Sequence, residues 1–279
     1  MEQSVLHSAP PPEPPELPPG VAPRWPAWYA GVGFLVALIG TLIAVGVVAA
    51  ATGAGSDEDN PTFTVIATLM QSLIFVGTAV LFASFTRRPK PWHFGLRRTA
   101  LWPAVGWAAL GMVSFYIAAA VYTAVVSPDA EQTVAQDLGA DEGTFGMIAA
   151  GFMVICIAPF AEEFFFRGFF YRALRSRYSV IAAALIDGAL FGIIHYDFSG
   201  SDALLILPPL AVLGFMFCLV YEKTGSLWPV VALHAFNNAI AYGVAVEDAT
   251  VSVVLGPLML VACAVIPRLM PPAPALKTA

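Results

Sequence analysis

Long apolar runs alternate with short polar connections along this chain. Eight apolar segments stand out, at 28–52, 62–86, 101–126, 144–166, 180–195, 203–221, 227–246 and 250–266. Most approach the roughly 20 residues that a helix needs to cross a bilayer core. The runs are continuous rather than alternating, so they predict membrane helices and not barrel strands. The segment ending at His195 is short. The expected fold is all-α, a polytopic transmembrane bundle of about eight helices. No internal repeat is visible, which weighs against an inverted-repeat transporter.

Composition agrees with this pattern. The 279 residues are 58% hydrophobic and 11% charged, with a mean hydropathy of +0.77. Soluble domains carry about 25% charged residues. The net charge of −6 says less than the placement of the charges. One set of loops holds Arg87, Arg88, Lys90, Arg97 and Arg98, then Arg172, Arg175 and Arg177, then Lys223, then Arg268 and Lys277. The alternate set holds Asp57, Glu58 and Asp59, then a run from Asp129 to Glu142, then Asp197 and Asp202, then Glu247 and Asp248. The positive-inside rule puts the basic loops and both termini in the cytoplasm. The Ala, Val, Gly and Pro bias with short loops suggests a bacterial plasma membrane.

Residues 1–27 contain nine prolines and no apolar periodicity, so they are expected to be a disordered cytoplasmic tail. Residues 28–142 would form N-terminal transmembrane helices, 143–248 a core carrying the polar residues, and 249–279 the last transmembrane helix and a short cytoplasmic tail. Cys156, Cys218 and Cys263 lie apart in apolar runs and read as packing residues. No zinc-finger spacing is present. No basic patch with interleaved aromatics suggests a nucleic-acid partner.

Ionisable residues inside membrane segments mark functional sites by default. Here they gather in the second half, as Glu162, Glu163, Arg167, Asp187, His195 and His234, with Asn237 and Asn238 beside them. Glu163 and Arg167 are spaced i,i+4 with the carboxylate N-terminal, so they can pair along one helix face. Glu162 points about 100° away and has no such partner. It is the carboxylate left free to accept a proton. Both glutamates could equally join an interhelical ion network. His195 shares a helix face with Phe191 and Asp187, although eight residues of separation, about 12 Å, argue against direct contact with Asp187. His234 and Asn238, again i,i+4, can both donate to one oxygen, as oxyanion stabilisation requires. Helix–helix hydrogen bonding is the plainer reading of such residues, and Asn237 fits it best. A glutamate, a histidine and a His/Asn pair on three helices suit attack of an activated water on a carbonyl.

Glu162-Glu163-x-x-x-Arg167, Phe191-x-x-x-His195 and His234-x-x-x-Asn238 resemble, in order, the three motifs of the CPBP intramembrane proteases, also called the Abi or CAAX-protease family. That family includes the type II CAAX prenyl endopeptidases. The resemblance covers roughly residues 145–245, and Phe94-Gly95-Leu96-Arg97 is similar to a further family feature. It implies an eight-helix fold and a core at 143–248 that cleaves a membrane-anchored, lipidated or bacteriocin-like peptide substrate in the bilayer. Glu162 and His195 would activate water, His234 and Asn238 would stabilise the oxyanion, and Glu163 and Arg167 would support the site. No cofactor is expected. Were zinc used, Glu162, His195 and His234 would be its ligands, but there is no HExxH. The residues alone leave open a proton-coupled transporter and a catalytically idle immunity or scaffold protein. Oligomeric state is not legible.

Depth presents a difficulty. Straight helices place Glu162 about 15 Å from Arg172 and His234 about 10 Å beyond Leu227, but His195 about 24 Å from Ser179. His195 is therefore expected too far toward the outer face, unless its helix starts outside the bilayer, tilts, or is bounded by a misplaced loop.

Overall fold

In a computed structural model the described residues are 25–52, 61–126, 133–196 and 202–270. The proline-rich tail up to residue 24, the acidic positions 57–59, 129, 131 and 197, and the C-terminal tail with Lys277 lie outside them. All eight apolar segments are helical. They are α1 (Trp28–Thr52), α2 (Pro61–Ser84), α3 (Leu101–Val126), α4 (Gly143–Arg175), α5 (Val180–Ile193), α6 (Leu207–Thr224), α7 (Trp228–Ala245) and α8 (Ser252–Leu269). Six helical stretches are long and apolar enough to cross a membrane. The other two are α5, with only 14 residues, and α7, which carries His234, Asn237 and Asn238. The protein is a multi-pass, all-helical membrane protein.

Helix α4 is the hub, packing against α1, α2 and α5–α8. Its phenylalanines fill the centre. Phe165 stacks on Phe75 of α2, and Phe166 meets Phe191 of α5 edge-on. Helices α5 and α6 approach closely through glycines, as small residues allow in membranes. A Cβ at Gly188 would lie 2.5 Å from the Ala211 carbonyl, and one at Gly214 would lie 3.0 Å from the Gly188 Cα.

Helix α4 corrects the expected boundaries. It does not end near Phe166 but runs on to Arg175. Arg175 is held by two hydrogen bonds to Glu222, of 3.1 and 2.8 Å. A pair of basic residues that reads as a loop is thus the last turn of a helix. The longer helix removes most of the depth conflict. Counted from the turn joining α4 to α5, Glu162 lies about 20 Å along its helix and His195 about 24 Å along the other.

The basic segments meet at one end of the bundle. The Ser226 hydroxyl donates to the Arg97 carbonyl (2.7 Å), the Thr99 hydroxyl to Thr224 (3.0 Å), and the Leu227 amide to Gly95 (2.8 Å). Gly95 has φ +86°, and a Cβ there would stand 2.6 Å from the Tyr221 oxygen. Phe94 stacks on Phe164 of α4 with ring centres 4.5 Å apart. The 94–97 segment thereby braces α4, α6 and α7. At the opposite end, Gln136 donates to Ala245 (2.8 Å), near the acidic positions Asp137 and Glu247.

Candidate active site

Pro159 shapes the helix that bears the glutamates. It lacks an N–H, and its ring crowds the carbonyl four residues earlier. The chain accommodates it with a π-helical turn over Met153–Ile157, before α-helix resumes over Ala158–Phe165. Such a turn releases carbonyls from the regular ladder. The Val154 carbonyl is taken by the Asn238 side-chain amide at 2.9 Å. A second π turn, Phe166–Tyr171, follows.

Glu163 and Arg167 form the pair their spacing predicts, with Nη1 2.9 Å from Oε1 and both side chains 0% exposed. The same Oε1 accepts from His234 Nδ1 at 2.8 Å. The other arm of Arg167 donates to the Gly214 carbonyl at 2.8 Å and lies 3.4 Å from Asp187. Its guanidinium sits over Phe191 and Phe217, 4.6 and 5.1 Å from their centroids. One buried cation therefore ties α4 to α5 and α6, and Glu163 ties α4 to α7. Asp187 faces Arg167 of α4, in line with the spacing argument against contact with His195. Cys218, read as a packing residue, is buried against Arg167 and Asp187.

Glu162 differs from its neighbour. Its side chain keeps 15% exposure and has no arginine partner; its Oε2, like that of Glu163, is buried without a hydrogen-bond partner among the described residues. His234 Nε2 faces that oxygen at 3.8 Å. This is too long for a hydrogen bond but suits a bridging water. Because His234 Nδ1 donates to Glu163, the ring's other nitrogen is the one turned toward Glu162. His195 is fixed similarly, its Nδ1 donating to the Phe191 carbonyl at 2.7 Å. That leaves its Nε2 carrying the lone pair in the neutral ring.

Glu162, Glu163 and His234 are brought into direct contact range. His195 joins them through Phe191, whose ring lies 4.9 Å from the His195 ring and 5.7 Å from the His234 ring. Asn238 lies one turn beyond His234, with one amide hydrogen on Val154 and a second still available. Asn237 turns away and accepts from Tyr116 of α3 at 3.3 Å. Among the described residues no group of three or more His, Cys, Asp or Glu side chains is placed to hold a metal ion. Sequence reading missed the His234–Glu163 and Arg167–Asp187 contacts. The interhelical ion network that the sequence left open for both glutamates forms around Glu163, but spacing does not name His234 or Asp187 as its members.

Residues 144–240 match the family model described as type II CAAX prenyl endopeptidase Rce1-like. This is the family that the three motifs resemble. Every residue of the site falls inside the match. Two Bacillus subtilis (strain 168) proteins are similar to parts of the chain. "Uncharacterized protein YyaK" is 29% identical over 140 residues, 49% of this chain and 46% of its own length. "Putative membrane peptidase YdiL" is 30% identical over 82 residues, 29% of this chain and 31% of its own length. The chain thus spans less than half of either relative. No solved structure matches it.

Proposed function

We propose that this protein is an intramembrane endopeptidase whose base is Glu162. The observation that carries the reading is the Glu162 carboxylate, partly open and facing His234 Nε2 at 3.8 Å, beside a second, fully buried glutamate whose Oε1 is shared by Arg167 and His234. A water held between Glu162 and the imidazole gives its proton to Glu162 as its oxygen adds to the substrate carbonyl. His195, with its lone pair on Nε2, assists at the water. The His234 ring enters and leaves the cycle with a proton on each nitrogen, Nδ1–H on Glu163, so that Nε2–H and the second Asn238 N–H donate to the oxyanion. Glu162 then returns its proton to the leaving amine as the C–N bond breaks. No step of this reading passes through a metal.

The substrate is a membrane-anchored protein or peptide, with a lipidated CAAX-type or bacteriocin-like chain as the candidate. The basic end faces the cytoplasm of a bacterial plasma membrane, with both termini on that side. The test is cleavage of a panel of lipidated and transmembrane peptides by the purified full chain, with and without chelator. Glu162→Gln should lower cleavage at least about 100-fold while leaving the melting temperature near wild type, and the chelator should have no effect. Full activity in Glu162→Gln would overturn the proposal. Glu162-dependent solute flux without cleavage would replace it with a transporter.

A further inference from the structure

On the far side of α7 from the site, α3, α7 and α8 enclose a groove of about 810 Å³. Pro229, Ala232 and Phe236 line it. Ala232 and Phe236 project about 160° around the helix from His234, so the groove is separate from the glutamate centre. Its walls are apolar, and its polar lining residues, Arg98, Thr99, Ser226 and Arg268, all sit at the basic end. From that end the groove runs along α3 from Leu101 to Val113, about 18 Å, and along α8 from Arg268 to Leu260, about 12 Å. The hydrocarbon core of a bilayer is about 30 Å thick, so the groove is one leaflet deep. Trp228 lies at its head, where interfacial aromatics sit.

The charges at the head have neutral partners. Arg98 Nε donates to the Pro267 carbonyl at 3.0 Å, and its Nη2 donates to Arg268 and Met270 carbonyls. Arg268 donates to the Ala264 carbonyl. Both guanidinium side chains are exposed, and among the described residues no carboxylate pairs with either. Glu222, an acidic residue at this end, is taken by Arg175. Lys223, over the Trp107 ring at 5.2 Å, adds a further positive charge. Two cations with no carboxylate partner among the described residues, above an apolar channel one leaflet deep, complement one kind of molecule in their surroundings.

We propose that the groove holds one anionic phospholipid, its phosphate between Arg98 and Arg268 and an acyl chain along α3 and α7. Basic pockets between membrane helices select anionic headgroups in this way. The site is independent of proteolysis, and its test does not use cleavage. The full chain, purified in neutral detergent, is titrated with phosphatidylglycerol, phosphatidylcholine or inorganic phosphate while its melting temperature is followed.

Phosphatidylglycerol should stabilise the protein, and the other two should not. Arg98→Gln/Arg268→Gln should weaken phosphatidylglycerol binding roughly 30-fold, about fivefold per arginine. Arg98 also holds the end of α8, so two further variants guard against a folding defect. Arg98→Lys/Arg268→Lys keeps the charge and should keep the preference. Ala108→Phe fills the groove with both arginines intact and should abolish it. Equal stabilisation by phosphatidylcholine, stabilisation by inorganic phosphate alone, or wild-type binding in Ala108→Phe would each overturn the proposal.

Discussion

His234 Nδ1 donates to Glu163 Oε1 at 2.8 Å, and this one bond decides which ring nitrogen looks at Glu162. Glu163 is therefore a positioning residue as well as the partner of Arg167. Glu163→Gln keeps an oxygen for His234 but removes the charge facing Arg167. Breaking a buried pair from one side costs about 3–5 kcal/mol. Denaturation in detergent should show that loss for Glu163→Gln and little loss for Glu162→Gln, although cleavage should fall in both.

Asp187 lies 3.4 Å from Arg167, and Cys218 is buried against both. Asp187 acts on Arg167 through charge. Asp187→Asn should cost about 1–3 kcal/mol, and Arg167→Met more, since two buried carboxylates then lose their cation. The double variant should be less destabilised than the sum of the two, because the groups are coupled. A double-mutant cycle in chemical denaturation measures this, and strict additivity would refute the coupling.

Pro159→Ala restores a backbone donor to α4. The Met153–Ile157 turn can then tighten into regular helix, drawing the Val154 carbonyl away from Asn238. Stability should hold or rise, since Ala is favoured over Pro inside a helix by about 3 kcal/mol. Cleavage should fall, because Asn238 loses the contact that orients it. A lower melting temperature with unchanged activity would contradict this.

His93, in the connection between α2 and α3, is buried and accepts a 3.0 Å hydrogen bond from the Lys90 amide at Nδ1. Burial, with the nearby charges of Arg172, Arg87 and Lys90, lowers its pKa from 6.5 to about 4. The folded protein thus keeps His93 neutral where the unfolded chain is protonated. Its contribution to stability is complete above pH 6.5 and is lost as pH falls from there toward about 4. Melting temperature should drop with pH across that window, and His93→Gln should flatten the slope. An unchanged slope would exclude His93 as its source.

The helices were legible because every apolar segment is one, and the Glu163–Arg167 contact was legible because both partners share a helix. Contacts between helices were not, because spacing reports direction on one helix and says nothing of the next. His234 reaches Glu163 across 71 positions, and Arg167 reaches Gly214 across 47. The end of α4 was hidden for a related reason. Arg172 and Arg175 look like a loop until Glu222, on another helix, gives Arg175 a partner. The groove beneath Arg98 and Arg268 had no local signal either, since α3, distant in sequence, closes it against α7 and α8.

The ties made by Arg167 bear on how the protein is assembled. Chains are made from the N-terminus, so α4 enters the bilayer ahead of α5, α6 and α7. At that moment the helices carrying Asp187, Gly214 and His234 have not yet packed against it. Glu163 is then the one partner in reach of Arg167, and it is reachable because it lies on the same helix. Charged side chains are costly at membrane depth, so the i,i+4 pair acts as a travelling neutraliser. It carries α4 through insertion until the later helices arrive to share the load.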